Sequence, residues 1–526
     1  MRAITSRRFV SSAVLLVALV APQTVLAGNY TAGSLVQVSG TSPFAGCTAD
    51  DLASQTGTVS LHSEVEPWID VNPTDADNIV GIYQQDRWSN GGARGLVASI
   101  SSDGGATWTQ VVIPGISDCS GGIYDRSTDP WVTFGPDGTL YQLALSFNDL
   151  VPPFDEDEGG DFDHALLASR SLDGGLTWSA PIEVIRDLDA NVFNDKQSIT
   201  ADPNDSDVVY SVWDRLVFPT SERASVIAGF NTSAYRGPTW FARSTTAGTS
   251  WEPARKIFDP GQENQTIGNQ IVALPDNAAF DGELIDVFDL IKISRGAIAT
   301  GNFYKVALIR SEDQGSTWGP LARNGKVTPI VVDDLRTIEV SDPETGDPVR
   351  AGDIIPDVAV APNGDLYTVW QDARPNGLQA DAIVVSKSTD GGFTWSPFVK
   401  VNKTPTNIAV GNQQAFTPSV QVAADGAVAV TYYDFRSNDA GSDLKTDYWM
   451  VHCHPAATVS CTAAADWSNE IRVTNSSFDM RQAPFAGGFF TGDYEGLDSA
   501  GNDFTPFFSQ PHGSDPSSTF FRRIGP

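Results

Sequence analysis

One eight-residue pattern recurs along the chain and constrains its fold more than any other feature. The pattern is Ser-x-Asp-x-Gly-x-Thr-Trp, and successive copies start 67 to 77 residues apart. Its Asp can bond the amides of its own turn, its Gly supplies a positive φ, and its Trp anchors the turn against a neighbouring sheet. A fixed period of this length is typical of a repeat architecture. Intact copies occupy 101–108, 171–178, 311–318 and 388–395, and 244–251 is a decayed copy.

A second repeat lies between these turns and predicts a β-hairpin in each copy. Period-two alternation, β-branched and aromatic enrichment, and turns such as Pro136-Asp137-Gly138 are its signals. A second hairpin follows each of the first six, but only one strand, 519–524, follows the seventh. We predict that Ser34 to Ser39 supplies the missing outer strand, which would leave no exposed edge. The predicted first hairpins are 67–87, 129–148, 196–215, 269–292, 356–374, 418–436 and 492–510.

The repeated turns resemble the Asp boxes of the sialidase-like (BNR-repeat) superfamily, whose members are β-propellers. With the hairpin count, this resemblance predicts an all-β chain in which residues 28–526 form a single propeller domain. Seven four-stranded blades are expected, with the six-bladed sialidase fold as the alternative. We expect the box turns themselves to be structural rather than catalytic.

The first 27 residues read as a secretory signal peptide. Arg2, Arg7 and Arg8 precede an apolar run from Ala13 to Val20, and small residues end the segment at Ala27. A twin-arginine signal is an alternative. We therefore expect a secreted protein, extracellular or periplasmic.

The net charge limits which partners the protein can bind, and the cysteine content indicates the cellular compartment. The formal net charge is −32, which discourages binding to nucleic acid or an anionic membrane. We expect a monomer without membrane insertion. All four Cys lie in the exported part, where disulfides persist. Three pairings are possible, and we favour Cys453–Cys461 and Cys47–Cys119.

By the same resemblance, the residues that enter each innermost strand converge at one mouth of a central channel. Catalytic candidates there are Tyr494, Glu495, Asp129 and Glu66, and Asp353 enters another blade. Carboxylates of this kind suit acid/base chemistry. The family attacks its sugar with a Tyr, and Tyr494 lies in a matching Tyr-x-x-Leu context.

Cationic side chains at the mouth are the candidates for substrate binding, because guanidinium and ammonium groups clamp anions. Lys196 and Arg126 break the repeat. The repeated Asp-Arg pairs that follow the second strands look more like architecture. The full set of substrate-binding candidates is Arg126, Lys196, Arg215, Arg374, Arg436 and Asp493.

Two family features are missing, which leaves the function open. Glu64-Val65-Glu66-Pro67 stands where the family has an early Arg, and Gly268-Asn269-Gln270 stands where it has an activating Glu. We expect a sialidase-like exo-glycoside hydrolase first, with a carbohydrate as partner. A glycan- or protein-binding propeller and a polysaccharide lyase are the alternatives. No cofactor or metal is expected, apart from a structural Ca²⁺ at the mouth carboxylates; His452-Cys453-His454 is weak as a metal motif.

Overall fold

The computed structural model describes residues 30–148, 163–189, 191–217, 236–276, 282–295, 300–467 and 469–526. The predicted signal peptide therefore lies outside the described residues. Within them the chain is all-β, as predicted, and its helical content is limited to short 3₁₀ turns. No helix in these ranges is long and apolar enough to cross a membrane.

Most described strands fall into seven antiparallel groups of four that follow one another along the chain, and we call these groups units. Units 1, 2 and 7 are joined into one 12-stranded sheet by two single residue pairs, Ser63 with Ser517 and Ala93 with Ser127. Unit 1 contains β2 (Val59–Val71), β3 (Ile79–Trp88), β4 (Ala93–Ser101) and β5 (Thr109–Val112). Unit 2 contains β6 (Arg126–Phe134), β7 (Leu140–Phe147), β8 (His164–Ser171) and β9 (Ile182–Asp187). Unit 3 contains β10 (Val192–Ala201), β11 (Val209–Val217), β12 (Thr239–Ser244) and β13 (Arg255–Phe258).

Units 4 to 6 repeat this order. Unit 4 contains β14 (Asn264–Ala273), β15 (Leu284–Arg295), β16 (Thr300–Ser311) and β17 (Ile330–Leu335). Unit 5 contains β19 (Asp357–Val360), β20 (Leu366–Asp372), β21 (Ala382–Ser388) and β22 (Val399–Lys400). Unit 6 contains β23 (Ala415–Val422), β24 (Val428–Asp434), β25 (Lys445–Cys453) and β26 (Asn469–Arg472).

Unit 7 combines the two ends of the described chain. β29 (Gly496–Ala500), β30 (Asp503–His512) and β31 (Asp515–Gly525) are completed by β1 (Thr31–Gln37), which pairs antiparallel with β31. The predicted closing strand, Ser34 to Ser39, overlaps β1. Three short strands lie outside this scheme: β18 (Val349–Arg350) pairs parallel with β28 (Phe489–Phe490), and β27 (Phe478–Asp479) pairs with β25.

A belt of hydrogen bonds joins the first strands of consecutive units. Each link runs between a side chain of one first strand and a backbone or side-chain group of the next. One bond, from the Val71 N–H to Asp498, joins unit 7 back to unit 1, so the belt is closed. In chain order the links are Phe134 to Asp70, Ala201 to Thr133, Thr200 to Ile271, Val358 to Gln270, Val420 to Asp357, Gln421 to Asp498 and Val71 to Asp498, at 2.6–3.3 Å.

The apolar core is divided between the units. Each main cluster of buried side chains draws on two consecutive units, and the cluster containing Ile69, Val71 and Phe507 joins units 1 and 7. Both faces of each sheet are therefore covered, which explains why many strands are buried along their whole length.

Two disulfides tie surface segments to this framework. Cys47 joins Cys119 and Cys453 joins Cys461, which are the pairings that the sequence favoured. The first fastens the segment before β2 to the connection after β5. The second closes a short loop after β25, where units 1 to 5 carry a box turn.

The box turns are closed by their own side chains. In the first, Asp103 accepts from the Ser101 hydroxyl at 2.8 Å and the Thr107 N–H at 2.9 Å, and the Trp108 indole donates to the Gly105 carbonyl at 3.1 Å. In the decayed copy Thr246 replaces the carboxylate and accepts from the Ser250 N–H at 3.1 Å. In every copy the third residue thus uses its side-chain oxygen within the turn.

Candidate functional site

Five first strands carry a β-bulge at the same place, and the bulged residue has a left-handed conformation. Glycine adopts it without strain at Gly268, but Glu66, Asp129 and Lys196 adopt it with φ of 52°, 49° and 47°. Such bulges re-aim side chains, and strained non-glycine residues cluster at functional sites. Thr417 is the fifth bulged residue.

The ammonium group of Lys196 lies between the carboxyl groups of the two other charged bulge residues and that of Asp493. Lys196 Nζ lies 3.0 Å from Glu66 Oε1, 2.9 Å from Asp129 Oδ1 and 2.8 Å from Asp493 Oδ2. The side chains are nearly inaccessible to solvent. The three carboxylates raise the pKa of Lys196 well above its usual value, although burial alone would lower it. We call Lys196, Glu66, Asp129 and Asp493 the ammonium cluster.

Arg350 approaches the ammonium cluster from the other side of Asp493. Its Nε donates to Asp493 Oδ1 at 2.8 Å and its Nη2 pairs with Oδ2, while its guanidinium group stacks on Phe490. Burial alone would raise the pKa of Asp493, but Arg350 and Lys196 hold it well below its usual range. Asp493 is therefore ionised at neutral pH.

The other carboxyl groups of the cluster differ from Asp493. Burial raises the pKa of Glu66 to about 8 even though Lys196 opposes it, and burial also raises the pKa of Asp129. Gln84 donates to the second oxygen of Glu66. Glu66 and Asp129 both contact the Lys196 ammonium group, but unlike Asp493 they are not held in the ionised form.

A cavity of about 450 Å³ opens over this cluster. Its floor includes Lys196 and Asp493, and its walls come from the connection between units 4 and 5 and from the loop around Gly487. Asp353 lies on the wall, where burial raises its pKa to about 6. We call this space the mouth cavity.

A second, much smaller cavity of about 30 Å³ lies beside the ammonium cluster. Trp68 and Trp131, whose rings stack with centroids 3.5 Å apart, line it together with Tyr494. The Tyr494 hydroxyl donates to the Pro130 carbonyl at 3.2 Å. Burial and the neighbouring carboxylates raise the pKa of Tyr494 well above its usual value, which opposes its ionisation.

Glu495 faces away from both cavities. Its carboxylate accepts from the Ser509 N–H at 3.0 Å, and burial raises its pKa well above the usual range. Neither cavity is lined by Glu495. The predicted role of Glu495 as nucleophile or activator gains no geometric support.

Four predicted substrate-binding arginines are engaged elsewhere. Arg126 donates to Gln55, Asn90 and the carbonyls of Gly91 and Thr56, which fastens the segment before β2. The other three are rim pairs, each with a carboxylate partner and an aromatic ring beneath the guanidinium group. These are Arg215 with Asp187 and Trp240, Arg374 with Asp372 and Phe398, and Arg436 with Asp434 and Trp449.

Arg350 was missed by sequence reasoning. It lies in the connection between units 4 and 5, outside every repeat, and its neighbour Gly352 packs so closely that an added Cβ would come within 2.0 Å of the Asp493 carbonyl. The unusual length of this connection was the only signal in the sequence.

Comparisons with known proteins give weak likenesses. No protein-family model and no curated protein matches the sequence. Among solved structures, a protein of unknown function from Dyadobacter fermentans is 13% identical with a TM-score of 0.43, covering 90% of this chain and 98% of its own. An α-L-arabinanase from Penicillium chrysogenum is 12% identical with a TM-score of 0.44, covering 76% and 94%. The NanB sialidase from Streptococcus pneumoniae is 10% identical with a TM-score of 0.43, covering 94% and 98%.

Proposed function

We propose that the chain is a seven-bladed β-propeller in which each four-stranded unit forms one blade. The closed hydrogen-bond belt, the division of the core between consecutive units and the pairing of β1 with β31 support this proposal. We also propose that the protein is exported, since two disulfides suit an oxidising compartment.

For its activity, we propose that the chain is a glycoside hydrolase that acts on neutral glycans in the mouth cavity. The observation that carries this proposal is the placement of Asp493 and Asp353 on the same cavity, with Lys196 and Arg350 fixing only the first. Glycoside hydrolases commonly use two carboxyl groups, one with a raised pKa that acts as the acid and one that remains ionised.

The two groups would divide the chemistry between them. Asp353, with a pKa of about 6, carries a proton below that pH and donates it to the glycosidic oxygen as the bond to the anomeric carbon breaks. Ionised Asp493 stabilises the positive charge that develops on the sugar. Water then adds its hydroxyl group to the anomeric carbon, and its proton returns to Asp353.

Neutral sugars fit the cavity better than carboxylated ones. Three acids, Glu339, Asp353 and Asp493, line it against two cations that are already paired with Asp493. The rim pairs and Arg126 are saturated, so no three-arginine clamp for a carboxylate is available among them. The raised pKa of Tyr494 likewise disfavours a tyrosine nucleophile.

A non-catalytic glycan-binding propeller is the second candidate. The observation that favours it is that the ammonium cluster pairs its charges internally, as a purely structural network would. A lyase is less well supported, because the mouth offers no unpaired cation to neutralise a uronate in the part of the chain that the structure describes.

The test is incubation of the mature protein with neutral glycans, sialosides and uronate polysaccharides, followed by mass spectrometry. We expect a neutral glycan to gain one water per bond cleaved, with a rate that falls as the pH rises through about 6, where Asp353 loses its proton. An unsaturated product would replace the hydrolase by a lyase. Retention on an immobilised glycan without any product would favour the binding protein.

A further inference from the structure

The wall of the mouth cavity is a hairpin that belongs to none of the seven units. The Val349 N–H bonds the Val340 carbonyl, the Asp342 N–H bonds the Asp347 carbonyl, and the Gly346 N–H bonds the Asp342 carbonyl. We call residues 340–349 the wall hairpin. Arg350 and Asp353 follow it directly, so its position determines where both side chains stand.

An ion network holds the outer end of the wall hairpin. Arg481 Nε lies 2.6 Å from Asp342 Oδ2, and its Nη2 lies 3.0 Å from Asp342 Oδ1 and 3.1 Å from Glu344 Oε2. Asn438 donates to both oxygens of Glu344 at 2.9 and 3.1 Å. A bidentate arginine–carboxylate pair of this kind fixes orientation as well as distance.

Arg481 is itself fixed at its backbone. Its N–H donates to Asp479 at 3.1 Å, and the same Asp479 oxygen accepts from the Leu444 N–H at 2.8 Å. Asp479 also belongs to β27, which pairs with β25 of unit 6. The network therefore connects the wall hairpin to the framework of unit 6.

The inner end of the hairpin is fixed against the floor. Val349 and Arg350 pair with Phe489 and Phe490, and Gly352 packs on the Asp493 backbone with no room for a side chain. The wall thus has two attachments: a packed one next to Asp493 and an ionic one at Arg481.

We propose that Arg481 is a positioning residue: acting through Asp342 and Glu344, it sets the distance between Asp353 on the wall and Asp493 on the floor. This inference rests on the proposed hydrolase function, because that distance matters only if the two groups work together. Arg481 does not line the mouth cavity, so its effect would be exerted through the hairpin alone.

The test compares Arg481→Gln with Arg523→Gln. Arg523 is likewise a partly exposed arginine in an ion pair, 2.7 Å from Asp503, although Arg481 has two carboxylate partners, and Arg523 pairs with no carboxylate of the wall hairpin. With the glycan cleaved by the wild type, we expect Arg481→Gln to lower kcat/KM about 10- to 100-fold, since a shift of about 1 Å in a reacting group costs this much. Arg481→Lys should restore part of the loss, and Arg523→Gln should leave the rate unchanged.

Hydrogen exchange separates this inference from the proposed function. In Arg481→Gln the amides of 340–352 should exchange faster than in the wild type, while those of β24 and β25 keep their protection. Arg523→Gln should not change exchange in 340–352. Unchanged exchange in Arg481→Gln would overturn the positioning role even if no glycan were ever cleaved, and faster exchange with an unchanged rate of hydrolysis would overturn it as well.

Discussion

The box turns and the ammonium cluster are built by opposite rules. Each box turn lies at the surface, repeats nearly the same residues and is closed by its own side chains, as the first is by Asp103 with Ser101 and Thr107. The ammonium cluster places different residues at equivalent bulges, buries them and joins them across units through Lys196. In a repeat protein, residues that recur in every copy indicate a structural role, whereas positions at which one copy differs from the others are the better candidates for a functional role.

The rim pairs are intermediate and show where this rule stops. Arg374 and Arg436 were predicted at the mouth, but neither lines the mouth cavity, and both follow the same pattern of an Asp two residues earlier and a ring below. A predicted position at the mouth alone therefore does not identify a functional residue.

The largest effect is expected from Lys196→Met. Removal of the ammonium group leaves three buried carboxyl groups without their common partner, and breaking a buried ion pair costs about 3–5 kcal/mol. The loss, measured by urea unfolding at about pH 9, should shrink at about pH 7, where Glu66, whose pKa burial raises to about 8, takes up a proton. Lys305→Met removes a partly exposed lysine paired with the exposed side chain of Asp334 and should cost less than about 1 kcal/mol. Equal losses would break the contrast between buried cluster and surface.

A smaller effect is expected from Arg436→Lys. Lysine cannot contact Asp434 and Glu470 through a planar fork or stack in the same way on Trp449. We expect a loss of about 1–2 kcal/mol in unfolding free energy with no change in glycan hydrolysis. A loss of hydrolysis without a loss of stability would move the rim pairs from architecture to function.

The belt offers a pH-dependent prediction at the contact between units 7 and 1. Asp70 and Asp498 both contact the Val71 N–H, and burial together with their mutual repulsion raises the pKa of Asp70 well above its usual value. Because the folded-state pKa of Asp70 is raised, folding favours its protonated form. The resulting contribution to the unfolding free energy is complete below about pH 4, the unfolded-state pKa of an Asp, and is lost as the pH rises through the folded-state pKa.

Asp70→Asn cannot ionise and should therefore flatten this dependence. Relative to the wild type, the variant should gain about 1 kcal/mol of unfolding free energy between pH 4 and pH 8, which melting curves across that range would measure. Parallel curves for the two proteins would show that the pair does not titrate in the folded state.

The smallest effect is expected in a box turn. Asp173→Thr copies the substitution that unit 3 already carries at Thr246, whose hydroxyl closes the same turn. The cost should stay below about 1 kcal/mol, because the lost hydrogen bonds are exposed to water. A cost as large as that of Lys196→Met would mean that the box turns are not the autonomous elements described here.

The sequence predicted what is local and repeated. Hairpins such as 129–148 and 418–436 follow from alternation and turn residues that act within a few positions, and the closing role of the N-terminal strand follows from a strand count. Lys196 was selected because it breaks the repeat, and Glu66, Asp129 and Asp493 because they enter innermost strands; the structure brings these four together.

Other features depended on packing that no local pattern encodes. Arg350 reaches Asp493 only because Gly352 lets the wall pack against the floor. Tyr494 was chosen for its sequence context, but packing against Trp68 and Trp131 turns its hydroxyl to a backbone carbonyl. Arg126 breaks the repeat as Lys196 does, yet it fastens a loop.

The most direct test of the proposed site compares Asp353→Asn with Asp381→Asn. Asp381 is buried and Asp353 is partly buried. Both accept from the Thr337 hydroxyl, Asp353 at 3.4 Å and Asp381 at 2.9 Å, and desolvation raises their pKa values to about 6 and about 7. Only Asp353 lines the mouth cavity. On the glycan that the wild type cleaves, we expect Asp353→Asn to lose about 100-fold or more in kcat, as removal of a general acid does, and Asp381→Asn to retain the wild-type rate. Equal activity of the two variants would contradict the assignment of the mouth cavity as the active site.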